Sequence, residues 1–240
     1  MPKDLKTLTE VGLQAENIDL RRLLAQAGID AIEHEVAERL QRLLLQELHH
    51  RVKNTLATVI AIASQTLRNA ESLEQGRQTI ESRLIALGRA HDLLLRSNWA
   101  SAKFSDVVRA AIEPYETQGA QRFVVRGANI EVGSGAVLTF AMALNELCTN
   151  AVKYGALSSA EGHVEITAAL DEGAQRFKLT WAEKGGPAVK EPARRSFGTH
   201  LIEHTLARQL HGEARLRFER TGVICEFDVP LAQLQAGKSP

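Results

Sequence analysis

The chain has 240 residues, 44% hydrophobic and 24% charged, the composition of a globular protein with room for one large domain or two small ones. Lysine and arginine total 29 against 29 aspartate and glutamate, so no overall field points to nucleic acid or an anionic membrane. Met1-Pro2-Lys3-Asp4 opens without an apolar signal core, and no run approaches the length of a membrane span, so a cytoplasmic protein is expected.

Leu5, Leu8, Val11, Leu13, Ile18, Leu20, Leu23 and Leu24, set among many charges, read as helical but irregular. A break is expected at Gly28, with Asp30 capping a new helix and Glu33 in the capping-box position. Apolar residues then recur at Val36, Leu40, Leu43, Leu44, Leu48, Val52, Leu56, Val59, Ile60, Ala63 and Leu67, mostly in steps of three or four. That spacing predicts one long amphipathic helix. On its wheel His49 joins Leu45, Val52 and Leu56, whereas His50 shares a polar stripe with Gln46, Glu47, Lys53 and Asn54. A solvent-facing imidazole flanked by a carboxylate, a cation and an amide makes His50 the candidate reactive residue, although most surface histidines do nothing.

Asn69, Ser72 and Gly76 mark a turn. A second helix carries Ile80, Leu84, Leu87, Leu94 and Leu95 on one face and ends near Ser97-Asn98. Two long helices with a short connection predict an antiparallel hairpin. One hairpin encloses no core, so a homodimeric four-helix bundle is expected; the alternative is packing on the rest of its own chain.

After Trp99 the pattern becomes mixed. Ser105 is placed to cap a helix over 106–112, with Phe104 as a staple residue and Pro114 near its end. Residues 123–127 read as a strand and 136–153 as a strongly apolar helix. Strands over 163–170 and 176–182 flank the turn Asp171-Glu172-Gly173. A glycine-rich stretch over 184–198 leads into a helix over 199–210, and strands over 213–219 and 223–229 follow. Helices alternate with antiparallel strands without repeated crossovers, which predicts an α+β sandwich. Cys148 and Cys225 lie in apolar runs without metal-ligand spacing and read as small buried hydrophobes of a reducing compartment.

Three further patterns bear on chemistry. Glu146, Asn150 and Lys153 fall on one face of the apolar helix, a set suited to a hydrated Mg²⁺ carrying a triphosphate. Glu183 ends the strand Thr180-Trp181-Ala182 and can accept from an amino group such as that of adenine, while Gly185 and Gly186 let backbone approach a ligand. Gly198 and Thr199 stand where a helix begins, a favourable place for phosphate. Singly, each has an ordinary explanation as a turn or a solvated helix face.

Together, in this order, they resemble the HWE family of sensor histidine kinases. His50-Arg51-Val52-Lys53-Asn54-Thr55-Leu56-Ala57 is similar to the phosphoacceptor box, and residues 145–155 to the asparagine-bearing N box. Trp181-Ala182-Glu183 resembles the Trp-x-Glu motif, and Gly198-Thr199-His200-Leu201-Ile202-Glu203 the second glycine box. The resemblance implies a dimerising helical hairpin followed by a GHKL-type ATP-binding α/β sandwich, as in type II topoisomerases and heat-shock chaperones. It implies that His50 takes the γ-phosphoryl group of ATP and passes it to an aspartate of a response regulator receiver domain. Asn150 would coordinate Mg²⁺, Glu146 would act near the transferred phosphate, Lys153 and Tyr154 would approach the phosphates, and Glu183 would hold adenine. One departure stands out: the family's N-box histidine is here Asn145, which keeps hydrogen bonding but exchanges no proton near neutral pH.

The expected division is a helical lead-in over 1–32, a dimerisation and phosphotransfer domain over 33–98, an ATP-binding domain over 99–232 and a loose tail over 233–240. Residues 1–40 lie outside the resemblance and could extend the dimer, dock a separate sensor or regulator, or serve only as a lead-in. A different class of function stays open, a histidine phosphotransfer or scaffold protein without ATP chemistry. The full polar set from Glu146 to Gly198 favours the enzyme, and Asn145 favours the rival.

Overall fold

Lys3–Asn69 forms one helix, α1. The structure, a computed structural model, describes residues 3–97, 100–116, 121–189, 202–203 and 209–235. The chain divides into two compact units, 1–61 and 62–240.

In the first unit the expected break at Gly28 does not occur, and the helix runs straight past Asp30. A single glycine costs a helix only about 1 kcal/mol relative to alanine, and the neighbours Leu23, Leu24, Ala25 and Gln26 are good helix formers. Beyond the helix's own backbone and the neighbouring residues, no atom among the described residues lies within 4 Å of the place a Gly28 side chain would take. The apolar stripe of this unit is open to solvent, Leu48 being 55% and Leu56 57% exposed.

The second unit opens on the last turns of α1 and the helix α2, Leu73–Arg96. Ser72 caps α2 by accepting the Gln75 N–H through its hydroxyl at 3.2 Å. Gly76, expected in the turn, is instead a buried member of the first turn of α2. Its lack of a side chain fits the close approach of Ala70, whose Cβ would lie 3.1 Å from one. Strand β1 (Ser101–Lys103) pairs antiparallel with β3 (Glu131–Gly133), a three-residue ladder too short for its periodicity to be read beforehand. Between them lie α3 (Phe104–Ile112), a 3₁₀ turn at Glu113–Tyr115 containing Pro114, and β2 (Phe123–Gly127).

Helix α3 departs from expectation at its start. It begins at Phe104 rather than after Ser105, and the side chain of its N-cap residue, Lys103, makes no capping bond. The Ser105 N–H is instead accepted by Asn129 Oδ1 at 3.1 Å. Phe104 is a core residue, edge-on to Phe140 and Phe177 with ring centroids 5.1 and 4.9 Å away.

Helix α4, Ser134–Lys153, crosses the core. Among the described residues it alone is long and apolar enough to cross a membrane, and it is the mostly buried central helix of this unit. Its 3.6-residue period is apolar nearly all round, as a helix covered on every side requires. Strands β4 (His163–Asp171), β5 (Arg176–Lys184), β6 (Glu213–Glu219) and β7 (Gly222–Pro230) complete a five-stranded sheet of order β2-β4-β5-β7-β6. Pairing is antiparallel except at β2 and β4, which run parallel on either side of α4 in the chain, a crossover the alternating pattern did not announce. Phe177, Leu179, Trp181 and Glu183 alternate inward along β5, and a short helix α5, Leu231–Gln235, closes the described chain. The helix expected over 199–210 falls largely outside the described residues. Cys148 and Cys225 are buried free thiols, both pushed well above the usual thiol range by burial.

Candidate active site

His50 lies in the first unit, exposed on α1, with Asn54 one turn on. The side-chain amide nitrogen of Asn54 is 3.4 Å from His50 Nδ1. His49 is exposed as well, so burial in the single chain does not separate the two histidines. The face His49 shares with Val52 and Leu56 is bare.

The other candidates belong to the second unit. On α4 the four- and three-residue steps bring Glu146, Asn150 and Lys153 to one side, and with Tyr154 they line a cavity of about 350 Å³. Thr66 and Arg83 line it from the end of α1 and from α2. Within it the Glu146 carboxylate is not free, as the sequence pattern would have it. Arg83 Nε donates to one carboxylate oxygen at 2.6 Å and Arg83 Nη2 to the other at 2.8 Å. Arg83 Nη1 donates to Thr66 Oγ1 at 2.7 Å, and the threonine hydroxyl donates to the Ile62 carbonyl at 2.6 Å. Arg83 is 3% exposed and Glu146 6%, so this is a bidentate pair taken out of water. Asn150 is half-buried, while Lys153 and Tyr154 are exposed.

Asn145, beside Glu146 on α4, is buried between two hydroxyls. It accepts from Tyr115 Oη at 3.1 Å and donates to Ser82 Oγ at 3.4 Å. A neutral imidazole also offers one donor and one acceptor, so an amide and a histidine would have the same hydrogen-bonding valence in this place. Burial raises the Tyr115 phenol above its ordinary range.

Glu183 is placed by the period of β5, which turns it to the same side as Trp181. Its carboxylate accepts the Ala156 N–H at 2.8 Å and the Trp181 indole N–H at 3.4 Å. Desolvation by burial raises its pKa, against the lowering effect of these two bonds. A carboxylate has about four lone-pair positions, so two acceptor sites remain for a ligand donor. Gly155 and Gly186 pack against the same place. A side chain on Gly155 would collide with the Glu183 carboxylate, and one on Gly186 would come within 2.6 Å of Ala156 Cα. Gly185 holds a left-handed φ of 70°, and its carbonyl accepts from Ser159 Oγ at 2.8 Å. Gly198 and Thr199 lie outside the described residues.

The C-terminal end of α4 thus carries both groups of candidates, the row Glu146-Asn150-Lys153 and, just past it, the backbone that Glu183 holds. Sequence reasoning missed Arg83 and Thr66. A signal for Arg83 existed: it falls in the buried α2 stripe with Leu87, Ala90 and Leu94, and an arginine in an apolar stripe needs a buried partner.

Residues 47–129 match the HWE histidine kinase family, and residues 110–217 match the histidine kinase-like ATPase domain. The chain belongs to the HWE histidine kinases. The blue-light-activated histidine kinase of Brucella ovis is 39% identical over 204 residues, which cover 84% of this chain and 42% of that protein. This HWE chain therefore spans less than half the length of the curated relative. Two of the solved structures that share its fold are of blue-light activated histidine kinases. One is the histidine kinase domain of the blue-light activated histidine kinase of Erythrobacter litoralis EL346, with a TM-score of 0.54 and 16% identity, covering 76% of this chain and 96% of that one. The other, the EL346 blue-light activated histidine kinase itself, gives a TM-score of 0.58 and 21% identity, covering 79% and 59%. The two matched regions of the HWE chain are those of a kinase, and the second implies ATP binding.

Proposed function

We propose that this chain is the kinase core of a two-component system, moving the γ-phosphoryl group of ATP to His50 and then to an aspartate on a response regulator receiver domain. The observation that carries the reading is the continuity of α4: its polar row leads into Gly155 and Ala156, which Glu183 holds from β5. A nucleotide with adenine at Glu183 would lay its phosphates along Asn150, Lys153 and Tyr154. Glu183 accepts the adenine amino group through a free lone pair. Lys153 offsets phosphate charge, and the backbone of Gly185 and Gly186 approaches the ligand closely. Gly198 and Thr199 are assigned to the phosphates on the sequence alone.

Mg²⁺ belongs to this reading as part of the ATP complex. Such an ion is held mainly by phosphates and water, with one or two protein ligands. Asn150 is such a ligand, and the ion would neutralise charge on the triphosphate. On α1, Asn54 with its amide oxygen turned to Nδ1–H would fix the tautomer in which His50 Nε2 carries the lone pair. That lone pair forms the N–P bond as the bond from the γ-phosphorus to the ADP oxygen breaks.

The reading includes a homodimer built on residues 33–98, an ATP-binding domain over 99–232, a lead-in over 1–32 that could serve a separate sensor or regulator, a short tail over 233–240 and a cytoplasmic location. The exposed stripe through Leu48 and Leu56 supports the dimer. Incubation of purified protein with γ-labelled ATP and Mg²⁺ tests the whole: acid-labile, base-stable label is expected. Its absence from protein that still accepts phosphate on His50 from a phosphorylated receiver domain would favour the phosphotransfer protein.

A further inference from the structure

We propose that Arg83 is a latch on Glu146, and that phosphoryl transfer requires the pair to open. This rests on the kinase reading, in which Glu146 acts near the transferred phosphate. Both carboxylate oxygens of Glu146 are taken by one guanidinium, at 2.6 and 2.8 Å. In that arrangement the guanidinium occupies one lone pair on each carboxylate oxygen and neutralises the charge that would draw a proton from the nucleotide side. The guanidinium is itself aimed by Thr66, whose hydroxyl accepts from Nη1 at 2.7 Å while donating to the Ile62 carbonyl. Arginine and carboxylate meet edge to edge as a planar fork, the geometry that holds such pairs most firmly.

The origin of the partners gives the latch its meaning. Arg83 lies on α2 and Thr66 on α1, the two helices of the hairpin, while Glu146 lies on α4 beside Asn150. A neighbouring bond repeats the clasp, Asn145 donating to Ser82 Oγ at 3.4 Å, so two successive α4 residues are held by two successive α2 residues. A turn or slide of α2 against α4 breaks both bonds together and releases Glu146 beside the Asn150–Lys153 wall of the cavity. Packed helices have discrete arrangements, so such a clasp is two-state rather than graded. Arg83 is accordingly a positioning residue: it acts through Glu146 and sets when that carboxylate is available.

The test compares the full chain with R83Q, R83K, T66V and E146Q, measuring initial autophosphorylation at saturating MgATP, affinity for a fluorescent ATP analogue, and thermal unfolding. R83Q is expected to label faster than wild type by about fivefold or more, the span of an ordinary coupling free energy, with nucleotide affinity unchanged. R83K, which keeps a cation but loses the fork, should fall between. T66V keeps the ion pair and removes only its brace, so it should show a smaller increase in a folded protein; if R83Q does not fold, T66V decides. Slower or unchanged labelling in folded R83Q, or in T66V where R83Q is unfolded, overturns the latch and leaves the kinase reading standing. A silent wild type with a labelled R83Q supports the latch. No label in any variant, nucleotide bound or not, overturns the latch and the kinase reading together. E146Q labelling at the wild-type rate overturns it as well, because Glu146 would then have nothing to release.

Discussion

The carboxylate of Glu183 fills the space where a side chain on Gly155 would have to go, and it accepts the amide N–H of the next residue, Ala156, at 2.8 Å. One buried carboxylate therefore ties the end of β5 to the end of α4. Gly155→Ala should expel it. The loss of a buried charge-assisted hydrogen bond is worth about 1.5–3 kcal/mol, so a lowered melting temperature and weakened nucleotide binding should appear together. A variant with wild-type melting and affinity would show that the contact matters to neither.

Glu183→Ala removes the proposed adenine acceptor. Losing a hydrogen bond of about 1–3 kcal/mol corresponds to about fivefold to about 150-fold weaker ATP binding. Asn150→Ala should instead abolish Mg²⁺-dependent transfer. Titration with a fluorescent analogue beside a labelling assay separates the two, and unchanged affinity in the Glu183 variant would remove the adenine assignment.

Burial raises the Glu183 pKa, so the folded state favours its protonated form. The stability this contributes is complete below the unfolded carboxylate value and is lost as pH rises through the folded one. Glu183→Gln, which stays neutral, should therefore gain on wild type as pH rises from about 4 to about 8. Urea unfolding across that range is the check, and a stability difference independent of pH would contradict it.

Of the adjacent histidines, His50 should carry the phosphoryl group. His50→Ala is expected to lose all acid-labile label and His49→Ala to keep it. The reverse pattern would move the chemistry to the apolar face of α1.

Leu48 and Leu56 are more than half exposed on a stripe that continues along α1. Burying each leucine is worth about 1.5–3 kcal/mol, which favours a two-fold dimer with the hairpins in one bundle. Light scattering at micromolar concentration should give a dimer. Leu48→Glu with Leu56→Glu should dissociate or unfold it, whereas Lys53→Ala should leave assembly intact. A stable monomer would end the bundle proposal.

Local pattern alone determined much of this protein. The step of three and four along α1, the apolar wheel of α4 and the alternation in β4 and β5 are periodicities of adjacent residues, so a single chain displays them before it folds. The order of His50, Asn150 and Trp181-Ala182-Glu183 was legible for a related reason, since motif residues lie close together in the chain. Gly28 was misread because a glycine reports only a local cost, and the helix formers around it outweigh that cost. What tertiary structure alone decided is the state of the candidate groups. Arg83 and Glu146 lie 63 residues apart, and no local rule pairs an arginine on one helix with a carboxylate on another. The same holds for Glu183 against Gly155 and for Asn145 between Tyr115 and Ser82. Sequence fixes which groups a face presents, whereas the packing of helix on helix and helix on sheet fixes which are spent on one another and which stay free to meet a ligand.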